Sequence, residues 1–234
     1  MKRLALGLIA ALLAGFLAFS APLAHAAGDQ FTRFDIQVTV DENGVMSVTQ
    51  TVDLTFGSSG HGPYFYFITR QGYSSDQDRL YTYRDFRVKS PTGAPTNIDK
   101  TTERNYIQLR IGDPNKTVRG TQTYVVTYTL TGMVNPNVEE SGLDEIYWNA
   151  IGSDFTLPIS NITVTINSPG RATKTTCYAG VGSTPCQAHS ISGSKVTFTQ
   201  DYLAPGQPLT VVAGWPKETF PGASVNLVTT STNP

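Results

Sequence analysis

Strict alternation of apolar and polar residues is the feature of this sequence that most constrains its fold. Apolar side chains occupy every second position in residues 34–40, and the pattern returns after residue 45 through Val48, Val52, Leu54 and Phe56. A period of two is typical of a β-strand with one buried face. The two stretches are joined by residues 41–44, which end in Asn-Gly, the strongest short hairpin signal. The sequence therefore predicts a β-hairpin at the start of the fold.

Further short stretches rich in Thr, Val, Ile and Tyr follow, separated by Gly and Pro, and none longer than one or two turns has a helical period. The clearest are residues 80–89, 106–111, 121–131, 159–167, 195–199 and 208–213. This pattern predicts an all-β fold, an antiparallel β-sandwich. The loop near residues 134–142 suggests a division into two packed β lobes, 27–134 and 135–216. Residues 217–234 are polar, and we expect a flexible tail or linker there.

The N-terminus has the three parts of a secretory signal peptide. Lys2 and Arg3 are basic, residues 4–19 are almost all apolar, and Ala24-His25-Ala26 fits an A-x-A cleavage site. We expect residues 1–26 to be removed and 27–216 to form an exported module, secreted or held in the cell envelope. The alternative is an uncleaved membrane anchor, but the apolar region is short for a span of about 20 residues.

Two cysteines, Cys177 and Cys186, flank a loop that contains Gly180, Gly182 and Pro185. In an exported chain such a pair is expected to form a disulfide. A reactive thiol pair usually has the spacing C-x-x-C, and no second Cys/His cluster is available to complete a zinc site. The sequence therefore predicts a structural disulfide.

The composition excludes several classes of function. Lys+Arg number 17 and Asp+Glu 18, a net charge of -1, so no nucleic-acid partner is expected. The chain contains 3 histidines and lacks the G-x-S-x-G pattern of a serine hydrolase. We expect no metal site, no cofactor and no catalytic residue.

Residues 143–158 carry the main candidate site. Asp144 and Glu145 precede Tyr147 and Trp148, and Asp154 follows a turn. Aromatic side chains dominate both cores and binding surfaces. Trp148 and Tyr147 could therefore belong to a sugar-stacking face, together with Tyr64, Tyr66, Tyr81 and Tyr83, or could simply pack in the core.

Two further readings concern polar residues. His61, in a Gly-rich loop, is either a pocket residue or an ordinary loop histidine. A glycosidase would need two carboxylates about 5–9.5 Å apart. Asp144 and Glu145 are consecutive, so on a strand they face opposite sides, and only Asp154 could join either of them.

Several of these stretches resemble the N-terminal extracytoplasmic domain of a bacterial family of predicted membrane proteins, domain of unknown function 2207, in an actinobacterial form. The resemblance covers residues 31–217. Its most specific marks are EIYWNAIG at 145–152, the spaced cysteines, and GWPK at 214–217. The resemblance implies an exported β-rich domain anchored by later helices and supplies no reaction or ligand. Longer relatives would continue beyond Pro234 into an apolar span, with 217–234 as the linker.

The leading hypothesis is a non-catalytic, exported cell-envelope domain that acts by binding or scaffolding. Its expected partner is an envelope protein or a cell-wall polymer. The competing hypothesis is a cell-wall carbohydrate-active enzyme that uses Asp154 with Asp144 or Glu145. A third is a structural spacer, in which Trp148 and Tyr147 are core residues.

Overall fold

The computed structural model describes residues 28–182 and 184–230, and the predicted signal peptide lies outside this part of the chain. Every regular element in the described part is a β-strand, so the prediction of an all-β fold is confirmed. The strands are β1 (Gln30–Val40), β2 (Met46–Gly60), β3 (Tyr64–Ile68), β4 (Arg70–Gly72), β5 (Gln77–Leu80), β6 (Thr82–Lys89), β7 (Ile98–Thr102), β8 (Tyr106–Ile111), β9 (Val118–Thr131), β10 (Val134–Val138), β11 (Leu143–Ile151), β12 (Ile159–Asn167), β13 (Lys174–Ala179), β14 (Ala188–Ser192), β15 (Lys195–Leu203), β16 (Leu209–Pro216) and β17 (Leu227–Thr229).

One large sheet forms the first layer, in the order β14-β15-β12-β1-β2-β9-β6. The predicted β1–β2 hairpin lies in it, with Gly44 at a φ of 71° in the connecting turn. Its pairs are antiparallel except β1 with β12, which run parallel. Strands from the second half of the chain occupy one end of this sheet and strands from the first half occupy the other, and the two groups meet where β1 pairs with β12. One sheet therefore runs through both predicted lobes, 27–134 and 135–216, because the open edge of β1 pairs with β12 from the second half, and the division into two packed lobes stays a prediction.

Three smaller sheets make up the rest of the fold, in the orders β10-β11-β16-β13, β3-β8-β7 and β17-β5-β4. The first two contribute buried residues to one core with the large sheet. Aromatic rings join the layers. The ring centroids of Phe34 in β1 and Phe65 in β3 are 6.3 Å apart, and those of Phe67 in β3 and Tyr128 in β9 are 5.0 Å apart. The packing of β3 onto the large sheet positions the cavity described below.

The C-terminal segment does not behave as the predicted tail. Phe220 is buried, and its ring makes an edge contact with Trp215 at 5.2 Å between centroids. Asn226 accepts a backbone hydrogen bond from Leu80, and β17 pairs with β5. The prediction of a flexible linker is wrong for residues 217–230. Although this segment is mostly polar, Phe220 is buried in the core and β17 forms a short edge strand.

Candidate ligand-binding slot

The main candidate site is a cavity of about 320 Å³ between the large sheet and strands β3 and β11. We call it the aromatic slot. A volume of this size falls within the range of small-ligand pockets. Its floor is Gln50, Tyr83 and Tyr128, its sides are residues 65–68 and 147–150, and it is completed by Gln71, Tyr81, Met133 and residues 152–155.

One side of the slot is a free strand edge of β11. On one edge, β16 pairs with β11 from Leu143 to Ile151. On the other edge, β10 pairs only as far as Ile146, opposite Val134. Residues 147–150 therefore keep one edge without a strand partner in the described part of the chain. Alternate residues of such an edge direct N–H and C=O groups outward.

The opposite side of the slot is the free edge of β3. This strand pairs with β8 alone, from Tyr64 opposite Arg110 to Ile68 opposite Tyr106. Inward-facing Phe65 and Phe67 and the outward-facing residues between and after them all line the slot, so the edge itself faces it. Two strand edges without a strand partner in the described part of the chain thus line one cavity.

A buried arginine holds the turn that leaves the β11 edge free. The chain turns at Gly132, whose φ is 86° and whose Cβ, if present, would lie 2.6 Å from the Leu80 carbonyl oxygen. Arg79 donates from Nε to the Gly132 carbonyl at 2.8 Å and from a terminal nitrogen to the Val134 carbonyl at 3.3 Å. Its other terminal nitrogen donates to the side chain of Asn135. Burial lowers the pKa of Arg79, although the nearby Tyr81 opposes this effect.

The floor of the slot contains a buried amide with an unused hydrogen-bonding atom. Gln50 occupies an inward position of β2 and is only 4% exposed. Its Nε2 donates to the Tyr128 hydroxyl at 3.0 Å, and its Oε1 has no partner among the described residues. Unpaired buried polar atoms are uncommon because each costs free energy. Burial also raises the pKa of Tyr128 and of Tyr83, so both hydroxyls stay protonated.

The predicted aromatic face is largely assembled in the slot. Five of its six members line the cavity, namely Tyr66, Tyr81, Tyr83, Tyr147 and Trp148. Tyr64 lines a neighbouring cavity instead. Trp148 is 5% exposed and Tyr147 is 55% exposed, so the first belongs to the wall and the second stands at the mouth.

Asp144 has a structural role rather than the ligand-binding role suggested by sequence. It is only 1% exposed, and its carboxylate accepts backbone N–H bonds from Asn137 at 2.9 Å and from Phe220 at 3.2 Å. Neither Asp144 nor Glu145 lines the slot or either of two further cavities, whereas Asp154 lines the slot. The carboxylates therefore do not converge on a common cavity.

His61 lies outside the slot, on a second cavity of about 340 Å³ that also contains Arg110. Its Nδ1 lies 3.1 Å from the carbonyl oxygens of both Asp113 and Lys116. Because carbonyl oxygens only accept hydrogen bonds, Nδ1 carries the hydrogen and holds the loop. The second cavity shares Tyr66, Asp154 and Phe155 with the slot, so the two are neighbours.

The two cysteines form the predicted disulfide. Cys177 and Cys186 are bonded, and the Cys186 backbone N–H donates to the Cys177 carbonyl at 3.0 Å. Neither residue lines the slot. The disulfide therefore closes a local hairpin and plays no direct part at the site.

No group of three or more His, Cys, Asp or Glu residues in the described part of the chain could hold a metal ion. Likewise, the described residues contain no helix long and apolar enough to cross a membrane.

The solved structures that match this chain have low sequence identity to it and low TM-scores. An M1 zinc metallopeptidase from Deinococcus radiodurans is 12% identical with a TM-score of 0.37, over 80% of this chain and 42% of that one. Leukotriene A4 hydrolase from Saccharomyces cerevisiae is 12% identical with a TM-score of 0.44, over 80% of this chain and 29% of that one. This chain thus spans less than half of either protein.

Comparison with curated proteins finds no match. The sequence does match the family described as "Predicted membrane protein (DUF2207) N-terminal domain", and the match runs over residues 30–215. These limits include both strand edges of the slot, its floor and the disulfide. The chain therefore belongs to the DUF2207 family of predicted membrane proteins, whose N-terminal domain it contains.

Proposed function

We propose that this chain is a non-catalytic binding domain of the cell envelope, placed outside the cytoplasmic membrane, and that the aromatic slot is its binding site. The observation that carries the proposal is the convergence of nine aromatic side chains on a cavity that also has an unpartnered buried amide, that of Gln50. A cavity of this kind, mostly apolar with a few polar groups, is the usual form of a ligand site.

The cellular location in this proposal comes from two sources. The family is described as a predicted membrane protein. The first 26 residues have the pattern of a secretory signal peptide. A disulfide between Cys177 and Cys186 is compatible with an oxidising compartment outside the cytoplasm.

The carbohydrate-active alternative receives less support from the geometry. A pair of catalytic carboxylates needs a shared cleft, and Asp154 lines the slot without Asp144 or Glu145. The Asp144 carboxylate already accepts two backbone hydrogen bonds. Binding without chemistry is therefore the function that these residues favour.

The test compares two tyrosines of similar exposure. Tyr147 is 55% exposed at the mouth of the slot, and Tyr202 is 52% exposed on β15 outside it. The purified protein, Tyr147→Ala and Tyr202→Ala are each immobilised and incubated with solubilised envelope material, divided into protein and polysaccharide fractions. We expect one fraction to be retained by the wild type and by Tyr202→Ala, and lost by Tyr147→Ala.

A fluorescence measurement places the bound material in the slot. The retained fraction should change the emission of the wild-type protein and should leave that of Trp148→Phe unchanged, because Trp148 forms a wall of the slot. Equal retention by all variants, or a signal independent of Trp148, would refute this location of the binding site.

A further inference from the structure

The aromatic slot lies between two strand edges that have no strand partner in the described part of the chain, residues 65–68 of β3 and 147–150 of β11. We propose that its ligand is an extended polypeptide segment of a partner protein, which enters the slot as an added strand. The inference rests on the proposed function, because it names the ligand class of the same site.

The hydrogen-bonding groups of the two strand edges favour a peptide as the ligand. An unpaired edge offers N–H donors and C=O acceptors at the spacing of a strand, and an extended backbone offers the complementary groups at the same spacing on both of its sides. A polysaccharide can stack on the rings of the slot but does not repeat donors and acceptors in this way. An inserted strand would join the sheet that contains β11 to the sheet that contains β3 in one layer.

The dimensions and charge of the slot restrict the segment further. Four residues line each side, which corresponds to about 13 Å of extended chain. Among the described residues that line the slot, Asp154 alone is charged, so a basic residue of the partner is favoured near it. The slot thus fits a segment of about four extended residues in contact, flanked by a Lys or Arg.

The floor indicates which side chain the central residue should have. It combines the rings of Tyr83 and Tyr128 with the amide of Gln50, whose Oε1 lacks a donor. A Thr or Ser hydroxyl that reaches the floor would supply a donor, and apolar side chains two residues away would contact the rings. The expected segment therefore has alternating inward residues of the type apolar–Thr/Ser–apolar.

The test uses pools of synthetic heptapeptides with acetylated and amidated ends. The central residue is fixed as Thr, Val, Asp or Gly, and the other positions vary. Binding to the purified protein is measured from the fluorescence of Trp148, with Trp148→Phe as the control. We expect the Thr pool to bind with the lowest dissociation constant and the Asp pool to bind weakly.

Backbone methylation separates strand addition from side-chain binding. A second Thr pool carries N-methyl groups on its three central residues, which removes the N–H donors and leaves the side chains unchanged. We expect an increase in dissociation constant of about tenfold or more. Equal binding by the methylated pool would overturn the inference, and so would the absence of binding by every pool at about 1 mM peptide.

The isosteric change Gln50→Leu tests the assignment of the central residue. This variant should bind the Val pool better than the Thr pool, the reverse of the wild type, because its floor no longer contains an unpaired amide oxygen. An unchanged preference for Thr would show that Gln50 does not recognise the central residue of the peptide.

Failure of this inference can be distinguished from failure of the proposed function. If Tyr147→Ala loses the polysaccharide fraction of the envelope and no peptide pool binds, the slot is a binding site for glycans and the peptide inference is wrong. If Tyr147→Ala retains all envelope material like the wild type, the proposed function itself is wrong.

Discussion

The hydrogen-bonded pair on the slot floor makes a sharp prediction about stability. Gln50 donates to the Tyr128 hydroxyl, and its own carbonyl oxygen is buried without a partner. Removing only one member of a buried pair leaves polar groups unpaired, whereas replacing both with apolar groups of similar shape is neutral or stabilising. We therefore expect the double change Gln50→Leu with Tyr128→Phe to behave differently from the single changes.

The magnitudes follow from the number of unpaired groups in each variant. Tyr128→Phe leaves the whole Gln50 amide unpaired and should destabilise the protein by about 1–2 kcal/mol. Gln50→Leu removes an unpaired oxygen but leaves the Tyr128 hydroxyl without its donor. The free energy of unfolding should therefore change by less than about 1 kcal/mol. The double variant has no buried polar group at this point and should be about 1–2 kcal/mol more stable than the wild type.

Urea denaturation followed by circular dichroism measures these differences. With an m-value of about 2 kcal/mol/M, the double variant should raise the midpoint by about 0.5–1 M at unchanged m. Tyr202→Phe, at an exposed tyrosine, serves as the control and should not move the midpoint. A double variant less stable than the wild type by more than about 1 kcal/mol would refute the reasoning, because the Gln50 oxygen would then have a stabilising partner.

Three further predictions concern the C-terminal anchor, alkaline pH and the turn beside the slot. Phe220→Ala removes a buried ring and should cost about 3–5 kcal/mol, a fall in Tm of about 10 °C by calorimetry, whereas a fall below about 2 °C would show that residues 217–230 do not anchor to the core. Burial raises the pKa of Tyr83 and Tyr128, so above pH ~10 the folded state binds more protons than the unfolded state. Stability should be level below that pH and should fall above it by about 1.4 kcal/mol per unit for each such tyrosine, with part of the tyrosinate absorbance appearing only on unfolding. Ionisation of all 11 tyrosines in one step, with an unchanged circular dichroism spectrum, would contradict this. Arg79→Lys should destabilise by about 2–4 kcal/mol in urea and weaken ligand binding, because an ammonium cannot reproduce the guanidinium fork. Arg33→Lys, at an exposed ion pair with Asp53, should cost at most about 1 kcal/mol, and equal effects of the two changes would contradict the role of Arg79.

The sequence predicted the strands well because their alternation is a local property. Residues 159–167 were assigned as a strand with the bounds that the structure shows, and the β1–β2 hairpin follows from its Asn-Gly turn. Gln50 was missed, although its signal is visible, since a polar residue stands between Val48 and Val52 at an inward position. A polar residue in a buried stripe was the available clue to the floor of the slot.

The roles that depend on distant partners could not be read from the sequence. Asp144 lies beside Tyr147 and Trp148, which made it look like a site residue, but one of its hydrogen-bond donors is Phe220, 76 positions away. The free edges of β3 and β11 have the same origin, because a local pattern identifies a strand without identifying its neighbours. For this reason the sequence pointed to aromatic residues that line one cavity, but it did not reveal which strand edges border that cavity.

The open edge of β11 lies beside a turn that a buried charged side chain holds in place. Proteins usually cover or blunt free strand edges, because an exposed edge pairs readily with other chains. Here Arg79 is buried against carbonyl groups and holds the turn at Gly132, immediately before β10 begins at Val134. Burial of this charge costs free energy. An arrangement that spends stability to keep two strand edges apart is expected where the gap between them has an occupant.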